Sequence, residues 1–303
     1  VPLLATDLAR LAELEAWWRR AHGISDPRVA RLAALVRDRF RITRLRFSDA
    51  FEASVSVDPR GAHYYRYSYA FPEVSYDRRG ALKALARCLQ AFDADCVRVA
   101  EPALRVAADP KLVDLPLLGV ACDGRDRYRL KVYLQFRDDA SALALEASER
   151  LVGTTSPRPP GATLHMLGLD LGPTGLVGAK WYWCLPRVPT RDAASPLGPV
   201  PLFARLAERG VEALRDVLLV YRTAPGLATA ERLPDDVDFP LARNELLWRD
   251  VAPLLQGPDG LPLADPLAPL EASFRLAARR VSLSVASQDR TTVYYVLAEK
   301  DPL

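Results

Sequence analysis

The stretch RYRLKVYLQF (Arg127–Phe136) alternates polar with apolar residues, the period-two pattern of a strand whose two faces differ. Arg129, Lys131, Tyr133 and Gln135 share one face; Leu130, Val132, Leu134 and Phe136 share the other. A second stretch, GAKWYWCLP (Gly178–Pro186), repeats Lys-x-Tyr at Lys180 and Tyr182. Of the chain's 41 basic residues only Lys83, Lys111, Lys131, Lys180 and Lys300 are lysine, so the repeat stands out. Within each pair the strand repeat sets Lys and Tyr on one side, about 7 Å apart.

Working outward, apolar residues recur every three or four positions through Leu3–Ala21 and Arg28–Phe40, predicting two helices. The period then changes to two. ITRLRFSDAFEASVSVDPRGAHYYRYSYAFP predicts a hairpin turning at DPRG, and RGALKALARCLQAFD returns to helix. LPLLGVACDGRDRYRLKVYLQF is a second hairpin, DASALALEASERLVG a helix with an Asp cap before it, and TLHMLGLDLGPTGLVGAKWYWCLP a third hairpin. PVPLFARLAERGVEALRD reads as helix, VLLVYRT as a short strand, and RRVSLSVASQDRTTVYYVLAEK as a last hairpin turning near SQDR. PRPPG is a rigid connector, while PLGPVP and GPDGLPLADPLAPL read as surface loops. Hairpins alternating with helices point to an α+β fold: one closed antiparallel β-barrel of recurring helix–hairpin units, helices packed outside, over residues 1–303. Helices then cover Leu130, Val132 and Leu134, and Arg129, Lys131 and Tyr133 line the lumen.

The net charge of +3 is small for 303 residues and gives no support to a nucleic-acid-coating or membrane-surface protein. No apolar run is long enough to span a bilayer, and the N-terminus reads as an amphipathic helix, so the expectation is a cytoplasmic protein, monomeric rather than oligomeric. Cys88, Cys96, Cys122 and Cys184 form no CxxC pair and read as reduced thiols, and His22, His63 and His165 lie far apart, so no metal site is expected.

Several Lys–Tyr pairs around one cavity would hold a polyanion such as diphosphate without metal, a compact charge beside a neutral donor. In the first hairpin Glu52 shares a small polar face with Ser54 and Ser56, and Tyr64, Arg66 and Ser68 share a face across the turn. A carboxylate facing inward requires a partner or a task. Either Glu52 pairs structurally with Arg66, or Glu52 is a base and Arg66 an anion ligand. In the last hairpin Ser282 and Ser284 face one way and Tyr294 is the inward tyrosine. Trp181 and Trp183 alternate away from Lys180 and Tyr182, which places them under the outer helices.

These residues resemble the aromatic prenyltransferases of the ABBA, or PT-barrel, superfamily, in the pattern of the dimethylallyl-tryptophan-synthase-type and cyanobactin-type peptide enzymes. The resemblance rests on FEAS (Glu52), YYRYS (Arg66), RLKVYLQF (Lys131, Tyr133) and AKWYWCLP (Lys180, Tyr182), and runs over roughly residues 40–190. It implies a barrel of α-β-β-α units that moves a dimethylallyl or geranyl group from its diphosphate to an indole or tryptophan, a phenol or tyrosine, or such a side chain in a peptide. Glu52 is then the catalytic carboxylate; Arg66, Lys131, Tyr133, Lys180 and Tyr182 bind diphosphate; and Tyr64, Arg129 and Tyr294 shield the allyl cation or contact the acceptor. The allylic diphosphate is a co-substrate, and neither a cofactor nor magnesium is required. The fourth hairpin departs from the pattern by lacking Lys-x-Tyr.

Three other readings compete. PDDVDFP (Asp235, Asp236, Asp238) is the nearest thing to the magnesium-binding motif of helical isoprenoid synthases, but prolines bracket it and it reads as a solvated acidic loop. A non-catalytic barrel binding a phosphorylated or acidic small molecule would use the same basic lumen, although it has no use for Glu52. An RNA-binding role for the arginines is opposed by the near-balanced charge.

Overall fold

The computed structural model describes residues 5–21, 23–43, 51–58, 61–122, 128–172, 175–191, 197, 200–223, 233–256, 262–263, 265, 267–271, 274, 276–285 and 290–297; for 5–8, 21, 40–43, 61–65, 122, 128, 269, 271 and 297 it describes the backbone alone. The alternating segments form strands β1 (Phe51–Asp58), β2 (Gly61–Ala70), β3 (Val113–Cys122), β4 (Tyr128–Phe136), β5 (Thr163–Leu171), β6 (Leu176–Pro189), β7 (Ala213–Thr223), β8 (Asp236–Pro240), β9 (Leu276–Ser284) and β10 (Thr291–Leu297). Each pairs antiparallel with its neighbours in sequence, and β1 pairs with β10, with Val55 opposite Val293, so the sheet closes into a barrel. Closure leaves no unpaired edge, and it gives every strand one face to the outside and one to the lumen.

The outward face is the apolar one. Leu130, Val132, Leu134 and Phe136 of β4 are buried there, as are Trp181 and Trp183 of β6. Both tryptophans keep their indole N–H satisfied, Trp181 on the Thr223 hydroxyl at 3.0 Å and Trp183 on the Ser156 hydroxyl at 3.2 Å. Helices α1 (Ala5–Ala21), α2 (Pro27–Thr43), α3 (Arg78–Phe92), α4 (Ala94–Ala107), α5 (Ser141–Val152) and α6 (Pro201–Glu208) bear the residues that cover this face, with short helices α7 (Trp248–Val251) and α8 (Ala268–Glu271). None of the described helices is long and apolar enough to cross a membrane.

Two buried carboxylates tie the first helices to the barrel. Glu15 of α1 accepts from the Tyr69 hydroxyl of β2 and pairs with Arg37 of α2. Arg39 of α2 pairs through two nitrogens with Glu73, donates to the Ala70 carbonyl at 3.3 Å, and lies 3.8 Å from the centre of the Phe71 ring.

Four sequence expectations change. α4 was not anticipated, because Cys96, Val97, Val99 and Pro102 argue against helix; its buried residues are the small Cys96, Ala100, Ala103 and Ala107, which let it lie close over the sheet. The helix expected to run through residue 216 stops at Glu208, where Gly210 takes φ +89°, and residues from Ala213 onward belong to β7. The supposed acidic loop PDDVDFP is β8, with Asp236 and Asp238 buried. The cap of α5 is Ala140, without a side-chain hydrogen bond, since Asp138 and Asp139 open a preceding 3-10 turn. The DPRG and SQDR turns lie largely outside the described residues.

Arg39→Ala leaves Glu73 buried without its ionic partner and is expected to lower the unfolding free energy by about 3–5 kcal/mol in chemical denaturation.

Candidate active site

The lumen faces of β4 and β6 answer the question set by the repeated Lys-x-Tyr. Lys131 and Lys180 line one shared cavity of about 220 Å³, together with Arg66, Arg129, Arg222 and Arg290. Two carboxylates stand among these cations. Asp170 of β5, directly across the ladder from Lys131, forms an ion pair with it, and Asp236 of β8 pairs with Arg222 and Arg290. Burial pulls the Lys131 ammonium down to about 8 even though Asp170 pulls it up. Lys180 is driven well below its ordinary range, by burial first and then by Lys131 and Arg222, although Asp236 pulls it up. A buried cation among cations is a site prepared for an anion.

A second cavity of about 150 Å³ adjoins the first along the barrel. Its lining is mixed: Glu52, Ser68, Gln135 and His165 beside Leu115, Leu117 and Met166. The lumen walls also carry an apolar patch separate from the outer core, made of Tyr133, Tyr182, Leu218 and Val220. The Tyr133 and Tyr182 rings meet edge to face, 6.4 Å between centres. Tyr133 is seated on glycine: a Cβ on Gly119 of β3 would come within 2.9 Å of its ring, and one on Gly168 of β5 within 2.8 Å.

Arg66 and Tyr294 line both cavities and form the partition. Arg66 donates to the Ser54 hydroxyl at 3.0 Å and to the Tyr294 hydroxyl at 2.6 Å. The Tyr294 ring stands between two guanidiniums, with Arg66 at 4.9 Å and Arg280 at 5.5 Å from its centre. Burial pushes the Tyr294 phenol far above its usual range, so it stays a neutral donor.

Glu52 acts electrostatically on Arg280. Burial disfavours the charged form of Arg280, yet Glu52 and then Asp238 raise it above its ordinary value. Asp238, fully buried on β8, is carried up to about 6 by desolvation, against the pull of Arg280 and of the Ser282 hydroxyl. His165 is held below its ordinary value by burial, and next by Arg280.

Several predicted residues come together and several move. Lys131, Lys180 and Arg66 share the cationic cavity. Tyr133 and Tyr182, expected to bind diphosphate, line the Glu52 cavity instead, because two strand residues carry each tyrosine one step along the lumen from its lysine. Arg129, expected near the acceptor or the cation, stands exposed at the rim of the cationic cavity. The backbone of Tyr64 pairs with Ser56, and its side chain lies outside the described residues. Tyr294 faces inward and Tyr295 outward, as alternation requires.

Residues the sequence reading did not single out are Asp170, Arg222, Arg279, Arg280 and Arg290, while Asp236 and Asp238, on β8, read from the sequence as part of a solvated loop. Alternation through LHMLGLDL puts Asp170 opposite the leucine face, and the Ser282 face of β9 extends to Arg280, so both carried a signal. Arg279 and His165 carried none. Each sits where the strand register shifts by one residue, and such a bulge turns two consecutive side chains, Arg279 and Arg280 or His165 and Met166, to the same cavity.

No family model and no curated protein matches the sequence. Solved structures do. The chain is similar to 5-dimethylallyltryptophan synthase from Streptomyces coelicolor, at 17% identity and a TM-score of 0.59, over 92% of this chain and 93% of that one. It is similar to prenyltransferase PriB, solved with L-tryptophan and dimethylallyl thiolodiphosphate, at 18% identity and 0.61, over 97% and 99%. AnaPT from Neosartorya fischeri, at 14% identity and 0.51, is matched over 100% of this chain and 97% of that one. A ten-stranded closed antiparallel barrel sheathed in helices, shared with these enzymes over nearly the whole chain, is the fold of the ABBA prenyltransferases.

Proposed function

We propose that this protein is an aromatic prenyltransferase that moves a dimethylallyl or geranyl group from its diphosphate to an electron-rich aromatic acceptor. The observation that carries the reading is the divided lumen: a cationic cavity holding Lys131 and Lys180 shares Arg66 and Tyr294 as a wall with a mixed cavity holding Glu52. The diphosphate takes the cationic cavity. Breaking the C–O bond leaves the electron pair on the diphosphate, where Lys131, Lys180 and Arg66 stabilise the added charge; fixed charges in a dry site act strongly on such a step. These side chains supply the counter-charge, so magnesium has no required role in this reading.

The allyl cation then lies at the partition, against the rings of Tyr133, Tyr182 and Tyr294, whose π-faces attract it while the barrel keeps water away. The acceptor occupies the Glu52 cavity. Glu52 accepts a hydrogen bond from its N–H or O–H, raising the nucleophilicity of the ring; ring π-electrons form the new C–C bond, and one proton passes to Glu52 as aromaticity is restored. Arg279, exposed at the rim, suits an acceptor that bears a carboxylate. This supports indole amino acids such as tryptophan, with phenols and aromatic side chains of peptides as the other acceptor classes. The enzyme is taken to act as a cytoplasmic monomer.

Incubation with dimethylallyl or geranyl diphosphate, with and without EDTA, against indoles, phenols and short peptides is expected to add one prenyl mass to an acceptor. Binding of the diphosphate with no transfer to any acceptor would favour a non-catalytic carrier instead. Glu52→Gln is expected to lower kcat by about a hundredfold or more while leaving pyrophosphate affinity, measured by calorimetry, unchanged. Because Lys131 in the empty cavity titrates at about 8 and an incoming anion favours its charged form, binding at that pH takes up protons. Pyrophosphate affinity therefore falls as pH rises from about 7 to about 9, and Lys131→Met reduces the proton uptake seen in buffers of different ionisation heat.

A further inference from the structure

The cationic cavity contains two carboxylates that a simple polyanion cradle does not require. Asp170 is bound to Lys131 across the β4–β5 ladder, and Asp236 to Arg222 and Arg290, so two of the six cationic charges lining the cavity (Arg66, Arg129, Lys131, Lys180, Arg222, Arg290) are already matched. The two lysines show what this matching does. Lys180, which Asp236 pulls up without a direct ion pair, is pushed far toward its neutral form by burial and by neighbouring cations; Lys131, paired directly with Asp170, stays near 8. The carboxylates therefore keep the cations charged and in place while the cavity has no substrate.

The same carboxylates face whatever anion enters. Asp170 is 14% exposed and lines the cavity, so a phosphate group that engages Lys131 must displace it or sit beside it. After C–O cleavage the electron pair adds negative charge to the bound anion, and six unopposed cations would hold the product more tightly than the substrate. We propose that Asp170 and Asp236 are resident counter-anions: they assemble the cation cluster in the empty site, yield it to the allylic diphosphate, and repel the pyrophosphate once the prenyl group has left. This rests on the diphosphate reading above. In the empty site they act through Lys131, Lys180, Arg222 and Arg290, and on the product they act directly.

The test is calorimetry with inorganic pyrophosphate, free of magnesium and at about pH 6, which favours the charged form of the Lys131 ammonium. Asp170→Asn is expected to bind pyrophosphate at least about tenfold more tightly, the effect of removing one like charge at an effective dielectric of about 20. In turnover, kcat and KM should fall together, as slower product release requires, and pyrophosphate should inhibit at correspondingly lower concentration. Asp236→Asn, which leaves the Lys131 pair intact, is expected to shift affinity in the same direction and carries the test alone if Asp170→Asn does not fold. Affinity that is equal or weaker overturns the proposal. So does pyrophosphate binding that needs magnesium and is lost in Asp170→Asn, because Asp170 would then be a metal ligand. A wild-type protein that does not bind pyrophosphate at all sinks the diphosphate site and this proposal with it, whereas wild-type binding with no gain in either variant removes the counter-anion role alone.

Discussion

Taking an ammonium ion out of water costs several kcal/mol unless an anion accompanies it, and this barrel does so at Lys131 and Lys180 on strands two apart. Everything around them answers that cost. The ladder sets Asp170 opposite Lys131, and β8 supplies Asp236 for Arg222 and Arg290. Arg66 is held by Ser54 and Tyr294. The remaining imbalance, concentrated on Lys180, is the electrostatic demand that the proposed diphosphate would meet.

The outer layer makes this interior arrangement possible. A closed sheet has no edge at which polar backbone must meet water, and the apolar outward residues of each strand are covered by helices fastened through Glu15–Tyr69 and Arg39–Glu73. With the outside apolar and covered, alternation leaves the polar residues no place but the lumen. There the distance between a lysine and the tyrosine two residues later becomes a division of labour: charge in one cavity, aromatic surface in the next.

How far the sequence alone reached follows from the same rule. Where one residue alternates cleanly with the next, as in RLKVYLQF or AKWYWCLP, the face of each side chain was legible, and Lys131, Lys180, Tyr294 and the two outward tryptophans lie where alternation puts them. Reading failed where tertiary packing outweighs local preference: α4 is helical despite Pro102, and β8 is a strand although prolines flank it, since closure of the barrel needs a partner between β7 and β9. It failed also at the two register shifts, where a backbone irregularity with no local sequence mark turns His165 and Arg279 inward. The acidic residues of the lumen were misjudged because a buried aspartate looks like a solvated one until its cation is placed beside it.

Tyr133 rests on Gly119 and Gly168, with no side chain between its ring and the neighbouring strands. That seat separates two properties that enzymes often couple. A single added methyl at Gly168 would force the Tyr133 ring to shift and meets only Tyr133 and Tyr182 among its nearest neighbours, whereas one at Gly119 would also press on the Lys131 side chain at 3.3 Å. In the proposed reaction, the space for the prenyl tail can therefore be altered at Gly168 with the cationic cavity left as it is.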